Sequence, residues 1–213
     1  MNLDGTPDQE DLDFYDRYGP WEPFDLLGLQ ALMDGFPEPW WVVGGHAMEA
    51  FNGVHRPHED VDLVIFSRHV PELREQLRDY HLWSNDGGTL RPLDDRFPEP
   101  FHDRCQIWVR KNASSPWIID CPINPDVEGR WQSKRFDDHV ADLADVTWVD
   151  ERGIRFQNPE IVLLFKAAQD REKDRFDLEN TWPLLAEDKK RWLRAAVKRY
   201  DAEHPWNARL ADA

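Results

Sequence analysis

Long apolar runs are missing from this 213-residue chain. A bilayer-spanning helix needs about 20 consecutive, mostly apolar residues, so a helical membrane span is excluded. Cysteine is nearly missing too. Cys105 and Cys121 are too few for a disulfide framework and lack the paired spacing of a zinc site. They are expected to be buried thiols on neighbouring strands. Positive charge is scarce: 26 Lys and Arg stand against 42 Asp and Glu, a net charge of −16. That balance argues against a sequence-independent grip on DNA or RNA, which depends on Lys and Arg meeting phosphates. The opening residues, MNLDGTPDQEDLDFYD, are acidic and polar, the opposite of a signal or transit peptide. Internal repeats and low-complexity segments are absent as well. These absences lead to the expectation of a soluble, cytoplasmic protein with no membrane and no DNA partner, and with RNA disfavoured. The excess of carboxylates serves solubility, and it also suits a cationic small substrate drawn to an acidic cleft.

What is present is organised around residues 40–66, WWVVGGHAMEAFNGVHRPHEDVDLVIF. Trp40 to Val43 form a short apolar, β-branched and aromatic run that stops at Gly44-Gly45, as a buried strand entering a tight turn does. A helix can open at His46, and a second strand is expected from Asp60 to Phe66. Side chains alternate along a strand, so Asp60 and Asp62 project from the same face. Two carboxylates so close repel unless a cation lies between them, and hard oxygen ligands suit Mg²⁺. The paired glycines let backbone approach an anion, and the helix that follows offers unpaired N–H groups to it. An anion cradle beside a metal-ligand pair is what phosphoryl or nucleotidyl transfer requires, because that chemistry rests on positioning and charge neutralisation.

These residues carry a resemblance. Gly44-Gly45-His46-Ala47, then Arg56-Pro57-His58-Glu59-Asp60-Val61-Asp62-Leu63, resembles the core motif of the nucleotidyltransferase superfamily. It is most similar to the aminoglycoside (2″)-adenylyltransferase-like branch. The superfamily at large has Gly-Ser at the turn, so this chain lacks a hydroxyl that often touches the nucleotide phosphate. The resemblance implies that Asp60 and Asp62 hold Mg²⁺, that Gly44, Gly45 and His46 bind phosphates, and that a nucleoside triphosphate is the co-substrate.

The remaining chain reads as one α/β architecture. Residues 1–19 are expected to be a flexible acidic lead-in, and 21–36 a short helix under the sheet. Residues 106–110 and 117–123 read as a hairpin turning at 112–116. Asp120 is out of place there, since a lone carboxylate inside an apolar strand is costly unless a metal or a transferred proton compensates. The family places a third carboxylate on a strand beside the paired aspartates, and the resemblance maps that role, metal ligand or general base, onto Asp120. The acids of 93–104 read as a solvated loop, and Arg130, Lys134 and Arg135 as a solvated strand face. From Pro159 the composition turns helical. Lys166 stands out in the apolar run IVLLFKAAQ, where it needs an anion or must reach solvent. The resemblance assigns Lys166 to the nucleotide phosphates and matches Lys173, Asp174 and Asp177 to a charged family helix. The alternative for all four is a charged surface.

The expected fold is therefore α/β (α+β): a nucleotidyltransferase-type mixed sheet with flanking helices over residues 20–157, then a helical bundle over 158–213. The expected activity moves a nucleoside monophosphate, AMP from ATP, to a hydroxyl of a small cationic or polar acceptor, an aminoglycoside by resemblance. Two other readings stay open: a toxin-type nucleotidyltransferase acting on tRNA or protein, and a catalytically silent nucleotide-binding module.

Overall fold

A computed structural model describes residues 1–211. Its first element is a helix, α1 (Gln9–Tyr18), in the stretch expected to be a flexible lead-in. The Asp11 N–H donates to Asp8 Oδ1 at 3.0 Å and the Asp8 N–H to Asp11 Oδ2 at 2.7 Å, a reciprocal cap. A ten-residue helix alone is marginal in water, so tertiary contacts decide its fate. Phe14 and Tyr18, one turn apart, lie against the Trp108 ring at centroid distances of 5.6 and 5.7 Å. The Trp117 indole N–H donates to the Tyr18 carbonyl at 2.7 Å, across a sequence separation of 99. Composition could not reveal such distant partners.

Helix α2 (Leu26–Leu32) follows, with the Gly28 N–H donating to the Asp25 cap at 2.7 Å. Strand β1 (Trp40–Val42) then runs into helix α3 (Gly44–Asn52) and strand β2 (Leu63–Ile65). After helix α4 (Val70–Gln76) come strands β3 (His81–Asp86), β4 (Thr89–Pro92), β5 (Gln106–Arg110) and β6 (Trp117–Pro122). The last two form the expected hairpin, with Ile107 opposite Cys121. Cys105 and Cys121 are buried and unbridged, as expected. A small three-stranded sheet holds β7 (Asp126–Val127), β8 (Arg130–Gln132) and β9 (Val140–Ala141). Helix α5 (Leu143–Val146) leads to strands β10 (Thr147–Val149) and β11 (Arg155–Gln157). Helices α6 (Pro159–Ala167), α7 (Glu172–Thr181), α8 (Glu187–Tyr200) and α9 (Trp206–Ala211) complete the described chain.

Two four-stranded sheets carry the fold, ordered β10-β11-β1-β2 and β4-β3-β5-β6. Strand β1 pairs parallel with β11 and antiparallel with β2. The two sheets meet at β2 and β6, where Asp120 N–H donates to Val61 O at 3.1 Å and Asn124 N–H to Ile65 O at 2.9 Å. This seam is parallel and sets Asp62 beside Asp120. The larger of two apolar clusters among the described residues crosses from the sheets into the C-terminal helices, joining Leu63, Ile107 and Phe156 with Leu163, Leu193 and Trp206. No helix among the described residues is long and apolar enough to cross a membrane.

Candidate active site

The turn from β1 into α3 is shaped by what lies against its glycines. Gly44 has φ +66°, a conformation that side-chain-bearing residues rarely adopt, and a β-carbon there would sit 1.8 Å from Asp62 Oδ2. At Gly45 a β-carbon would meet Arg56 Nη2 and His58 Nδ1, each at 2.5 Å. Packing thus requires glycine at Gly44, and a side chain at Gly45 would displace Arg56 and His58. Among the described residues no side chain caps α3, and its first turn holds no acid. Val43, Gly44 and Gly45 line a cavity of about 350 Å³, into which uncapped helix amides can serve an anion.

The sheet seam brings three carboxylates together on that cavity. One oxygen from each of Asp60, Asp62 and Asp120 lies within 4.8 Å of the others. Asp120 is 6% exposed. Gln106 Nε2 donates to its Oδ2 at 2.6 Å, while its Oδ1 has no hydrogen-bond partner among the described residues. Burial and then Glu59 raise the Asp60 pKa. Burial and then Asp60 push Asp62 up to about 7. Burial, then Asp62 and Asp60, hold Asp120 well above the usual carboxylate range. An all-oxygen set with one orphaned buried oxygen fits a hard divalent cation such as Mg²⁺, which would reverse each of these shifts.

Cations gather on the other walls of this cavity. Lys134, expected on a solvated face, turns inward, and its Nζ donates to the Arg104 carbonyl at 3.4 Å. Burial lowers its pKa to about 8, against the pull of nearby Asp120. It has no carboxylate within salt-bridge distance among the described residues. Nothing in the sequence distinguished it from Arg130 and Arg135, since inward or outward is set by where the small sheet docks.

Lys166 also lines the cavity, but its ammonium is already engaged by Asp174 Oδ1 at 3.0 Å and Asp177 Oδ2 at 2.8 Å. Arg56 grips Asp177 with two bonds of 2.9 Å, and Arg171 Nε reaches Asp174 Oδ2 at 2.8 Å. Asp174 and Asp177 are 0% and 3% exposed, so they belong to a buried ion network and not to a charged surface. Burial works to raise the Asp174 pKa, but Arg171 and Lys166 outweigh it and hold the group low. Lys173 Nζ bonds Glu59 Oε1 at 2.6 Å.

His46 takes a different place from its neighbours in the motif. It is not among the residues lining the cavity. Its ring lies against that of His58 at a centroid distance of 4.0 Å, tilted by 31°, and burial, then His58, push its pKa down to about 4. His58 in turn bonds Glu49 Oε2 through Nε2 at 2.7 Å.

No family model and no curated protein sequence matches the chain. Solved structures do, two of them as follows. A solution structure of the antibiotic-resistance factor ANT(2'')-Ia has a TM-score of 0.52 and 19% identity, covering 82% of this chain and 90% of its own. A crystal structure of ANT(2'')-Ia in complex with adenylyl-2''-tobramycin has a TM-score of 0.52 and 16% identity, covering 81% of this chain and 94% of its own. The chain has the mixed α/β fold of these nucleotidyltransferase-like structures, the fold its Gly-Gly and Asp-Val-Asp segments led us to expect.

Proposed function

We propose that the protein is a metal-dependent nucleotidyltransferase that moves AMP from ATP to a hydroxyl of an aminoglycoside. The observation that carries this reading is the buried Asp60–Asp62–Asp120 cluster beside the glycine turn, in a cavity whose other walls are cationic. The neighbour bound to adenylyl-2''-tobramycin supports the choice of nucleotide and acceptor.

The uncapped amides of α3 at Gly44 and Gly45, with the Lys134 ammonium, receive the triphosphate. Lys166 and Arg56 contribute positive potential from fixed positions, since their heads are held by Asp174 and Asp177. Asp60 and Asp62, with Asp120, would hold Mg²⁺, which when bound neutralises charge on these carboxylates and on the phosphate oxygens. The orphaned Asp120 Oδ1 accepts the proton of the acceptor hydroxyl. The hydroxyl oxygen forms its bond to the α-phosphorus as the bond from that phosphorus to the bridging oxygen breaks. Pyrophosphate leaves with the electron pair. Gln106 holds Asp120 Oδ2 and so aims the other oxygen.

The test is incubation with ATP, Mg²⁺ and a panel of aminoglycosides, read by the mass of an AMP adduct. Asp120→Asn keeps shape and removes charge and basicity. It should bind ATP nearly as the parent does while turnover falls about 10²–10⁴-fold, the span of a general base. An unchanged rate, or no adduct from the parent protein with any nucleotide and acceptor, sinks the proposal.

A further inference from the structure

A second cavity, of about 820 Å³, adjoins the first at Asp60 and Asp120 and has the opposite electrical character. Asp8, Glu10 and Asp11 of the N-terminal segment line it, with Glu172 from the start of α7. Its three cations are already paired, Lys173 with Glu59, Arg171 with Asp174, and the Met1 ammonium with Asp8, Asp11 and Glu59. Glu10 and Glu172 have no side-chain partner among the described residues. Aromatic rings complete the wall: Tyr15 and Phe14 from α1, then Trp21 and Trp108. Trp21 and Trp108 meet edge to face at 5.4 Å and anchor this wall to β5.

These features select a ligand class. Unpaired carboxylates repel a polyphosphate and attract ammonium groups, and aromatic faces attract the same cations. Asp11 Oδ2 and Glu59 Oε1 close on a primary ammonium, that of Met1, at 2.5 and 2.6 Å, so carboxylates from α1 and from the loop before β2 are spaced to grip an amine together. Asp120, the orphaned carboxylate of the three-acid cluster, also points to a ligand here. It is 6% exposed, it lines this cavity too, and its Oδ1 lacks a partner. A hydroxyl on a molecule seated here would reach the carboxylate that borders both cavities.

We propose that the segment from Asp8 to Trp21 is the acceptor-specificity element, selecting hydroxylated molecules that carry several ammonium groups. The inference rests on the transferase reading above and adds the part of the chain that chooses the acceptor. Helix α1 forms one side of the acceptor cavity, Glu172 the other, and the nucleotide occupies the cationic cavity beyond the carboxylates.

Calorimetry with tobramycin as the probe tests it without turnover. The variant is Glu10→Gln with Glu172→Gln, which leaves the Asp8–Asp11 cap intact. Thermal unfolding checks that the fold survives. Tobramycin should bind about three- to tenfold more weakly to the double variant at low salt, the size expected for two solvent-screened charge contacts, and the difference should shrink as salt rises. ATP affinity, measured on the same samples, should not move. Equal tobramycin affinity in parent and variant overturns the inference, as does a parent that binds ATP but not tobramycin; both leave the transferase reading standing. A parent that binds no ATP removes that reading and the inference with it.

Discussion

The carboxylate of Asp62 occupies the space that a side chain at Gly44 would need, with Oδ2 only 1.8 Å from where a β-carbon would be. The turn after β1 and the Asp62 side chain are therefore one packing unit. Replacing Gly44 by Ala forces a left-handed backbone on a residue with a β-carbon, a cost of about 1–2 kcal/mol, and also expels the Asp62 side chain. Gly44→Ala should unfold at lower urea and lose divalent-cation binding in calorimetry. Parent-like values for both would contradict the contact.

The pH dependence of stability should report Asp62. In the metal-free fold its carboxyl is pushed up to about 7 from an ordinary value of 3.8. Between those values the folded state holds more protons than the unfolded chain. The stabilising contribution is complete below the unfolded pKa and is lost as pH rises through about 7. His46 has the opposite sign: lowered from 6.5 to about 4, its contribution is present above 6.5 and is lost as pH falls through about 4. Comparison with Asp62→Asn isolates the carboxylate. The Tm of the parent should fall relative to that variant between about pH 4 and pH 7, and Mg²⁺ should recover it at the upper end in the parent alone. A pH-independent difference between the two proteins would refute the burial argument.

Lys134 gives a third readout. Its ammonium is lowered from 10.5 to about 8, so in the free protein it loses charge as pH rises through that value. ATP affinity should fall over the same range. Lys134→Gln should bind ATP about tenfold or more weakly at neutral pH, the scale of a charge-assisted hydrogen bond, and should lack the alkaline fall. An identical alkaline limb in the variant would assign the titration elsewhere.

The local chemistry of residues 40–66 was written in the sequence. An apolar run ending in two glycines and an apolar run after the aspartates mark strand, turn and strand, but β2 spans Leu63–Ile65 rather than the expected Asp60–Phe66, so Asp60 lies in the loop before it. The hairpin at 106–122 and the misfit of Asp120 in it were equally legible, because an apolar strand has no local use for a carboxylate.

Tertiary structure decided which partners those residues meet. The bond from Asp120 N–H to Val61 O, which seats Asp120 beside the other two, joins strands with no pairing signal in their sequences. Asp174 and Asp177 share a helical face by spacing, but Arg56, 121 positions before Asp177, determines that this face is buried and that Lys166 is locked into it. Lys134 points inward and residues 9–18 are helical for the same reason: each depends on a surface built by distant chain, the Trp108 ring in the case of α1. Periodicity and composition encode what a segment prefers within a few residues of itself. Which of two faces is buried, and which charge is paired, follows only when segments far apart in sequence are brought into contact.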